Sequence, residues 1–149
     1  MHLDTQIKSR IREARQMGAP LRDPSILIVE DDAALKQIWL MIIDRVAPNA
    51  LIDWVLTEEA AERAIRDKIR VGELYDIVIA DIFLAGKRSG IDLLKRYGSD
   101  GCEFIIVSGA TREKVKKMVG DDESLIFLQK PIQFDAAVRE IARLLGFYH

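Results

Sequence analysis

The feature that most narrows the folds open to this sequence is a fivefold alternation of short apolar runs with longer stretches of helical periodicity. The runs are Ile26–Glu30, Leu51–Leu56, Tyr75–Ala80, Glu103–Val107 and Leu125–Gln129. They are rich in β-branched residues and too short for helices, so they read as strands, the first buried on both faces. Between the first two, Leu35, Ile38, Trp39, Ile42, Ile43 and Val46 form one helical stripe that Pro48 ends. Thr57 is placed to cap a second helix, with Glu58 and Glu59 in its first turn and an apolar face through Ala61, Ile65 and Ile69 towards Gly72. A polar loop, Ala85–Gly90, leads to a short helix near Ile91–Tyr97. A weaker helix is expected over Arg112–Val119, and a last one carries Val138, Ile141, Ala142 and Leu145 before Gly146. Strands alternating with helices imply βαβ units and a parallel sheet. Right-handed crossovers with helices on both faces then make it a doubly wound five-stranded α/β sandwich.

This pattern fills residues 25–146 of the 149, so the expectation is one domain over 25–149 behind an extension of residues 1–24. In the extension, Leu3, Ile7, Ile11 and Ala14 make a thin apolar stripe among Lys8, Arg10, Arg12 and Arg15, and Pro20 and Pro24 break any helix. It reads as a solvated or loosely docked extra helix, with a dimerisation or partner-binding segment as the alternative. Asp4, Glu13 and Asp23 dilute it as a nucleic-acid arm.

Composition removes whole classes of chemistry. Lysines and arginines number 22 against 24 acids, so no global field attracts nucleic acid. No apolar run approaches the ~20 residues of a membrane helix, and no signal-type segment begins the chain. The single cysteine, Cys102, excludes an intramolecular disulfide and suits a reducing cytoplasm. Histidines occur only at His2 and His149, so a Ser-His-Asp or Cys-His machine, a His-rich zinc site or a phosphohistidine carrier lacks its histidine within the fold. What remains is carboxylate, hydroxyl and lysine chemistry.

Those groups sit where such a fold binds ligands, beyond the carboxyl ends of the strands. The first strand leads into Glu30, Asp31 and Asp32, the third into Asp81, the fourth into Ser108 and the fifth into Lys130. Two carboxylates about 4 Å apart repel by roughly 4 kcal/mol at an effective dielectric near 20, so a cluster of them calls for cations. Lys130 supplies one charge, and Mg²⁺, a hard ion that keeps several waters, suits the remainder. Metal, lysine and hydroxyl together would bind a phosphoryl group, with Asp81 as the nucleophile that forms an aspartyl phosphate. Taken singly, each residue has a plainer role: Asp32 as a helix N-cap, Ser108-Gly109 as a turn. Their coincidence at strand ends carries the functional reading.

The segments Ile26-Leu-Ile-Val-Glu-Asp-Asp32, Ile77-Val-Ile-Ala-Asp81, Ile105-Ile-Val-Ser-Gly109 and Gln129-Lys-Pro-Ile132 resemble the receiver domains of two-component response regulators, over roughly residues 25–147. The resemblance implies a flavodoxin-like (βα)5 fold with strand order 2-1-3-4-5. It implies Glu30 and Asp31 as the acidic pair around Mg²⁺, Asp81 as phosphoacceptor and metal ligand, and the Phe83 carbonyl completing the metal shell. Ser108 takes the place of the switch hydroxyl, Phe127 that of the switch aromatic, and Lys130 that of the conserved-type lysine, joined to Pro131 by a cis peptide. The implied activity is a cytoplasmic switch, phosphorylated by a histidine kinase or phosphotransfer protein and not itself an enzyme on a separate substrate. It would act on a downstream protein target or a second copy of itself, with neither nucleic acid nor membrane as direct partner.

Two features depart from the family pattern. The loop after Asp81 has Leu84-Ala85 where receivers commonly have Met-Pro, and it reaches Gly90 one residue late. Phe83 is bulky and apolar where polar residues are frequent, which suggests a shield that slows hydrolysis of the acyl phosphate. Rival readings are a degenerate receiver acting as a phosphate-independent adaptor, and a Mg²⁺-dependent phosphatase with an Asp nucleophile. The phosphatase wants a second acid where Phe83 stands. A nucleotide-binding domain would need a glycine-rich phosphate loop, which is missing.

Overall fold

The computed structural model describes residues 23–83, 89–98, 101–120 and 125–146. The expected helix of the extension and the lengthened part of the loop after Asp81, residues 84–88, lie outside the described residues.

Strand β1 (Ser25–Val29) is buried along its whole length. The Asp32 carboxylate accepts from the Ala34 amide at 3.0 Å and caps a single 3-10 turn, Ala33–Leu35, that opens into helix α1 (Lys36–Val46). Strand β2 (Leu51–Val55) precedes α2 (Glu58–Arg70), whose first turn is capped by Thr57 Oγ1 accepting from the Ala60 amide at 3.1 Å. Then follow β3 (Ile77–Asp81), α3 (Ser89–Tyr97), β4 (Glu103–Ser108), α4 (Arg112–Val119), β5 (Ile126–Gln129) and α5 (Phe134–Leu144).

All strand pairs are parallel, in the order β2-β1-β3-β4-β5. Alternation along each inner strand sends side chains to two separate layers. Leu27, Val29, Val78, Ala80, Phe104 and Ile106 pack under α2, α3 and α4 against Ala61, Ile65, Leu93 and Val115. Ile26, Ile28, Ile77, Ile79, Ile105 and Val107 face α1 and α5, meeting Trp39, Ile42, Ile43, Ala137 and Ile141. Continuous apolar strands are what a sheet covered on both faces requires.

Most strand ends shift by a single residue from the sequence-based expectation, and two larger shifts bear on packing. β3 begins at Ile77 rather than Tyr75. The residues before it tie down neighbours instead: the Asp76 carboxylate accepts from the Ser25 amide at 2.8 Å, and the Tyr75 hydroxyl donates to Asp53 at 2.6 Å. Helix α3 starts at Ser89, two residues before the first apolar position, and its Gly90 lies against the end of β3. A Cβ there would come within 2.6 Å of the Asp81 carbonyl oxygen, so the approach demands glycine.

Candidate functional site

Parallel register assembles the site. Val29 pairs with Ala80, so Glu30 emerges level with Asp81. Asp81 pairs with Val107, so Ser108 stands one residue beyond it, and Ser108 pairs with Gln129, so Lys130 leaves β5 at the same rim. Three side chains from three strand ends, Glu30, Asp81 and Lys130, thereby meet at one point, across as many as 100 residues of sequence, with Ser108 ending the strand between them.

The ammonium of Lys130 bridges two carboxylates, 2.8 Å from Glu30 Oε1 and 2.6 Å from Asp81 Oδ2. Both acids are buried, whereas Asp31 beside them is exposed. The remaining oxygens hold main-chain donors: Glu30 Oε2 accepts from the Asp32 amide at 3.2 Å and Asp81 Oδ1 from the Phe83 amide at 3.0 Å. Burial pushes the Glu30 carboxyl above its ordinary range; the Lys130 hydrogen bond opposes that shift and the Asp81 charge adds to it. For Lys130 burial pulls downward, but hydrogen bonds to Asp81 and Glu30 win and hold the ammonium above its usual value. The lysine is therefore fully charged at neutral pH.

Carboxylate oxygens of Glu30, Asp31 and Asp81 lie within 4.8 Å of one another. Three ionised acids and one lysine leave a formal charge of −2, and the donors are all hard oxygens. That set fits a Mg²⁺ ion, which is content with a few carboxylates and several waters. Beside it, Ser108 is completely buried, and its Oγ accepts from the Ala110 amide at 3.0 Å, leaving its own proton available to donate.

The other expected positions lie close by. Phe83 sits two residues past Asp81, its side chain 40% exposed at the rim and its amide committed to the Asp81 carboxylate. Phe127 faces inward from β5, opposite Ile106 of β4. The Lys130–Pro131 peptide is cis, as the resemblance implied. Sequence reasoning missed two elements. One is the pair of amides, of Asp32 and Phe83, that hold the acidic oxygens; an acid followed two residues later by a turn is their only trace in the sequence. The other is Arg112, whose guanidinium lies 5.4 Å from the centre of the Phe127 ring. Only the pairing of β4 with β5 brings those two together.

Comparison with known proteins places this architecture. No family model matches the chain, and no curated protein matches it. Solved structures do. A two-component response regulator from Clostridium difficile superposes with a TM-score of 0.68 at 18% identity, over 83% of this chain and 97% of that one. A CheY-like response regulator receiver domain from Methylobacillus flagellatus gives 0.62 at 24%, over 83% and 99%. The BeF3-activated conformation of SdrG from Pseudomonas melonis gives 0.62 at 22%, over 81% and 95%. The protein is thus a doubly wound α/β domain with an acidic rim and a lysine. More narrowly, its fold is that of response regulator receiver domains. Among the described residues no helix is long and apolar enough to cross a membrane.

Proposed function

We propose that the chain is a phosphorylation-controlled signalling domain in which Asp81 accepts a phosphoryl group from a histidine kinase or phosphotransfer protein. The observation that carries this reading is the bridge from Lys130 to both Glu30 and Asp81 beside the exposed Asp31. It leaves a nucleophilic carboxylate anchored by a lysine and a main-chain amide within a cluster of three acids.

In the reaction, an Asp81 oxygen attacks phosphorus and the bond from phosphorus to the donor nitrogen breaks. The electron pair leaves on the imidazole. Glu30, Asp31, Asp81 and the Phe83 carbonyl would hold Mg²⁺, which when bound neutralises charge on the phosphoryl oxygens. The Phe83 amide fixes the orientation of the Asp81 carboxylate. Lys130, already within 2.6 Å of that carboxylate, is placed to follow the new negative charge. Ser108 donates its free proton to a phosphoryl oxygen, and its movement makes room that the Phe127 ring can occupy. The local charge change thereby alters the surface formed by α4, β5 and α5, which a protein partner in the cytoplasm reads. Phe83, exposed at the rim, limits the approach of water to the acyl phosphate. The protein is a regulator that turns over only its own phosphoryl group; a phosphatase would need an acid where Phe83 stands.

The test is incubation with acetyl phosphate and Mg²⁺, followed by intact mass. One added phosphoryl group that Asp81→Asn abolishes is expected; none on the wild type, or one that survives Asp81→Asn, would overturn the reading. Phe83→Asn should then lose its phosphoryl group faster than wild type, and an equal or slower rate removes the shielding role.

A further inference from the structure

One contact beside the rim has no part in the phosphoryl chemistry described above. The Arg112 guanidinium lies 5.4 Å from the centre of the Phe127 ring, within the roughly 6 Å at which a cation is drawn to the face of an aromatic. Phe127 is only 7% exposed while Arg112 is exposed, so the guanidinium covers the ring from the solvent side. The helix end itself disfavours this placement. Arg112 is the first residue of α4, at the positive end of the helix dipole, where an acid such as the neighbouring Glu113 is preferred to a cation. The ring supplies the attraction that the helix end does not.

Register puts this pair in line with Ser108. Ile106 pairs with Phe127, and both face the layer under α4. Ser108, two residues further along β4, points to that same face, so the hydroxyl and the ring are diagonal neighbours across the β4–β5 ladder. The segment from Ser108 to Arg112 is short and pinned in two places. Ser108 Oγ accepts from the Ala110 amide at 3.0 Å, and Thr111 Oγ1 accepts from the Lys114 amide at 3.3 Å. A hydroxyl that turns to a phosphoryl oxygen therefore disturbs the same short segment that carries Arg112.

We propose that Arg112 is a positioning residue that holds the Phe127 ring at its resting place beneath α4, and that the ring gives up this contact when it advances into the space left by Ser108. The proposal rests on the reading of Asp81 as phosphoacceptor and adds a brake to it. The attraction between cation and ring sets how many unphosphorylated molecules have the ring advanced. Its removal shifts the population toward the state that accepts a phosphoryl group.

Phosphoryl uptake by the full chain from acetyl phosphate and Mg²⁺, followed over time by intact mass, tests this. Arg112→Ala should take up the group about two- to fivefold faster than wild type, the range set by a cation–ring contact at an exposed site. Arg112→Lys, which keeps a cation, should fall between the two. Lys117→Ala, the same change of charge at the other end of α4, should match wild type. In a Phe127→Leu background Arg112→Ala should change nothing, because the ring is gone. An Arg112→Ala rate equal to or below wild type overturns the proposal, since an arginine that only attracted the anionic donor or only supported α4 would give that result. Equal acceleration by Lys117→Ala, or equal acceleration with and without the ring, overturns it too. Each of these leaves Asp81 as the phosphoacceptor, whereas a wild type that takes up no phosphoryl group removes that reading and the brake together. A second measurement needs no Phe127 variant. The ring should displace the Arg112 side-chain proton resonances upfield in the unphosphorylated protein, and phosphorylation should return them toward those of free arginine. No displacement, or one that persists after phosphorylation, also overturns the proposal.

Discussion

Two clusters of charge in this molecule look alike on paper and differ in how their charges add up. On the surface where α2 meets α3, one acid, Glu62, takes the Arg66 guanidinium at 2.8 Å, the Arg96 guanidinium, and the Tyr97 hydroxyl at 3.3 Å. Burial nudges its carboxyl upward, but the Arg96 hydrogen bond and the two guanidinium charges outweigh that and hold it below the usual carboxylate range. At the rim of the sheet the proportions invert: Glu30, Asp31 and Asp81 share one Lys130, and burial keeps Glu30 above its usual range. The first cluster is saturated with positive charge and has the features of a clasp between helices. The second is short of it, a deficit that a divalent cation would offset. Counting ion pairs would not separate them; counting charge against burial does.

The sharpest contrast should come from removing cations. Lys130→Met leaves two buried carboxylates without a counter-ion, and chemical denaturation in EDTA should show a loss of about 3 kcal/mol. Asp81→Asn leaves Glu30 and Lys130 as a balanced pair and should cost far less under the same conditions. If the two variants lose equally, the charge deficit is not the organising feature of the rim.

Next in size is the response to Mg²⁺. At a hundredfold excess over its dissociation constant, an ion that binds only the folded state adds about 2.7 kcal/mol. Thermal unfolding should show this gain in wild type and in Arg96→Ala, and should show none in Asp31→Asn. A gain that persists in Asp31→Asn would place the ion elsewhere.

Gly90→Ala separates the two regions through the backbone, since its Cβ would collide with the Asp81 carbonyl. Denaturant titration should find a loss of about 1–3 kcal/mol, accompanied by slower phosphoryl uptake from acetyl phosphate. Unchanged uptake would mean that α3 gives way without moving Asp81.

The smallest effects belong to the clasp. Both arginines are more than half exposed, so Arg96→Ala should cost about 0.2–1 kcal/mol. Because the Glu62 carboxyl is depressed in the folded state, its contribution is present above the unfolded value of 4.5 and disappears as pH falls through the folded value. Glu62→Gln should therefore flatten the acid limb of the stability curve and leave the neutral region nearly parallel to wild type. Unfolding midpoints between pH 3 and 6 read this directly.

Much of this was legible before any coordinates. Strands could be found because full burial on two faces demands uninterrupted apolar runs, and Asp32 and Thr57 stood out as caps because their short polar side chains satisfy free amides at helix starts. Tyr75 was misassigned to β3 because an apolar run looks the same whether its first residues join the ladder or, as here, reach sideways to Asp53. The half of the Glu62 clasp that joins two helices left no trace, since Arg96 lies 34 residues away on another helix.

What local pattern sufficed to specify is therefore the succession of elements and the polar residue at the end of each strand, because burial and capping act between neighbours along the chain. What required the folded chain is which of those ends stand side by side. The placement of β1 between β2 and β3 sets Glu30 against Asp81, and the β4–β5 pairing carries Lys130 to both. Charge acts through space, so a lysine and two acids acquire a shared function only when register brings them within hydrogen-bonding distance.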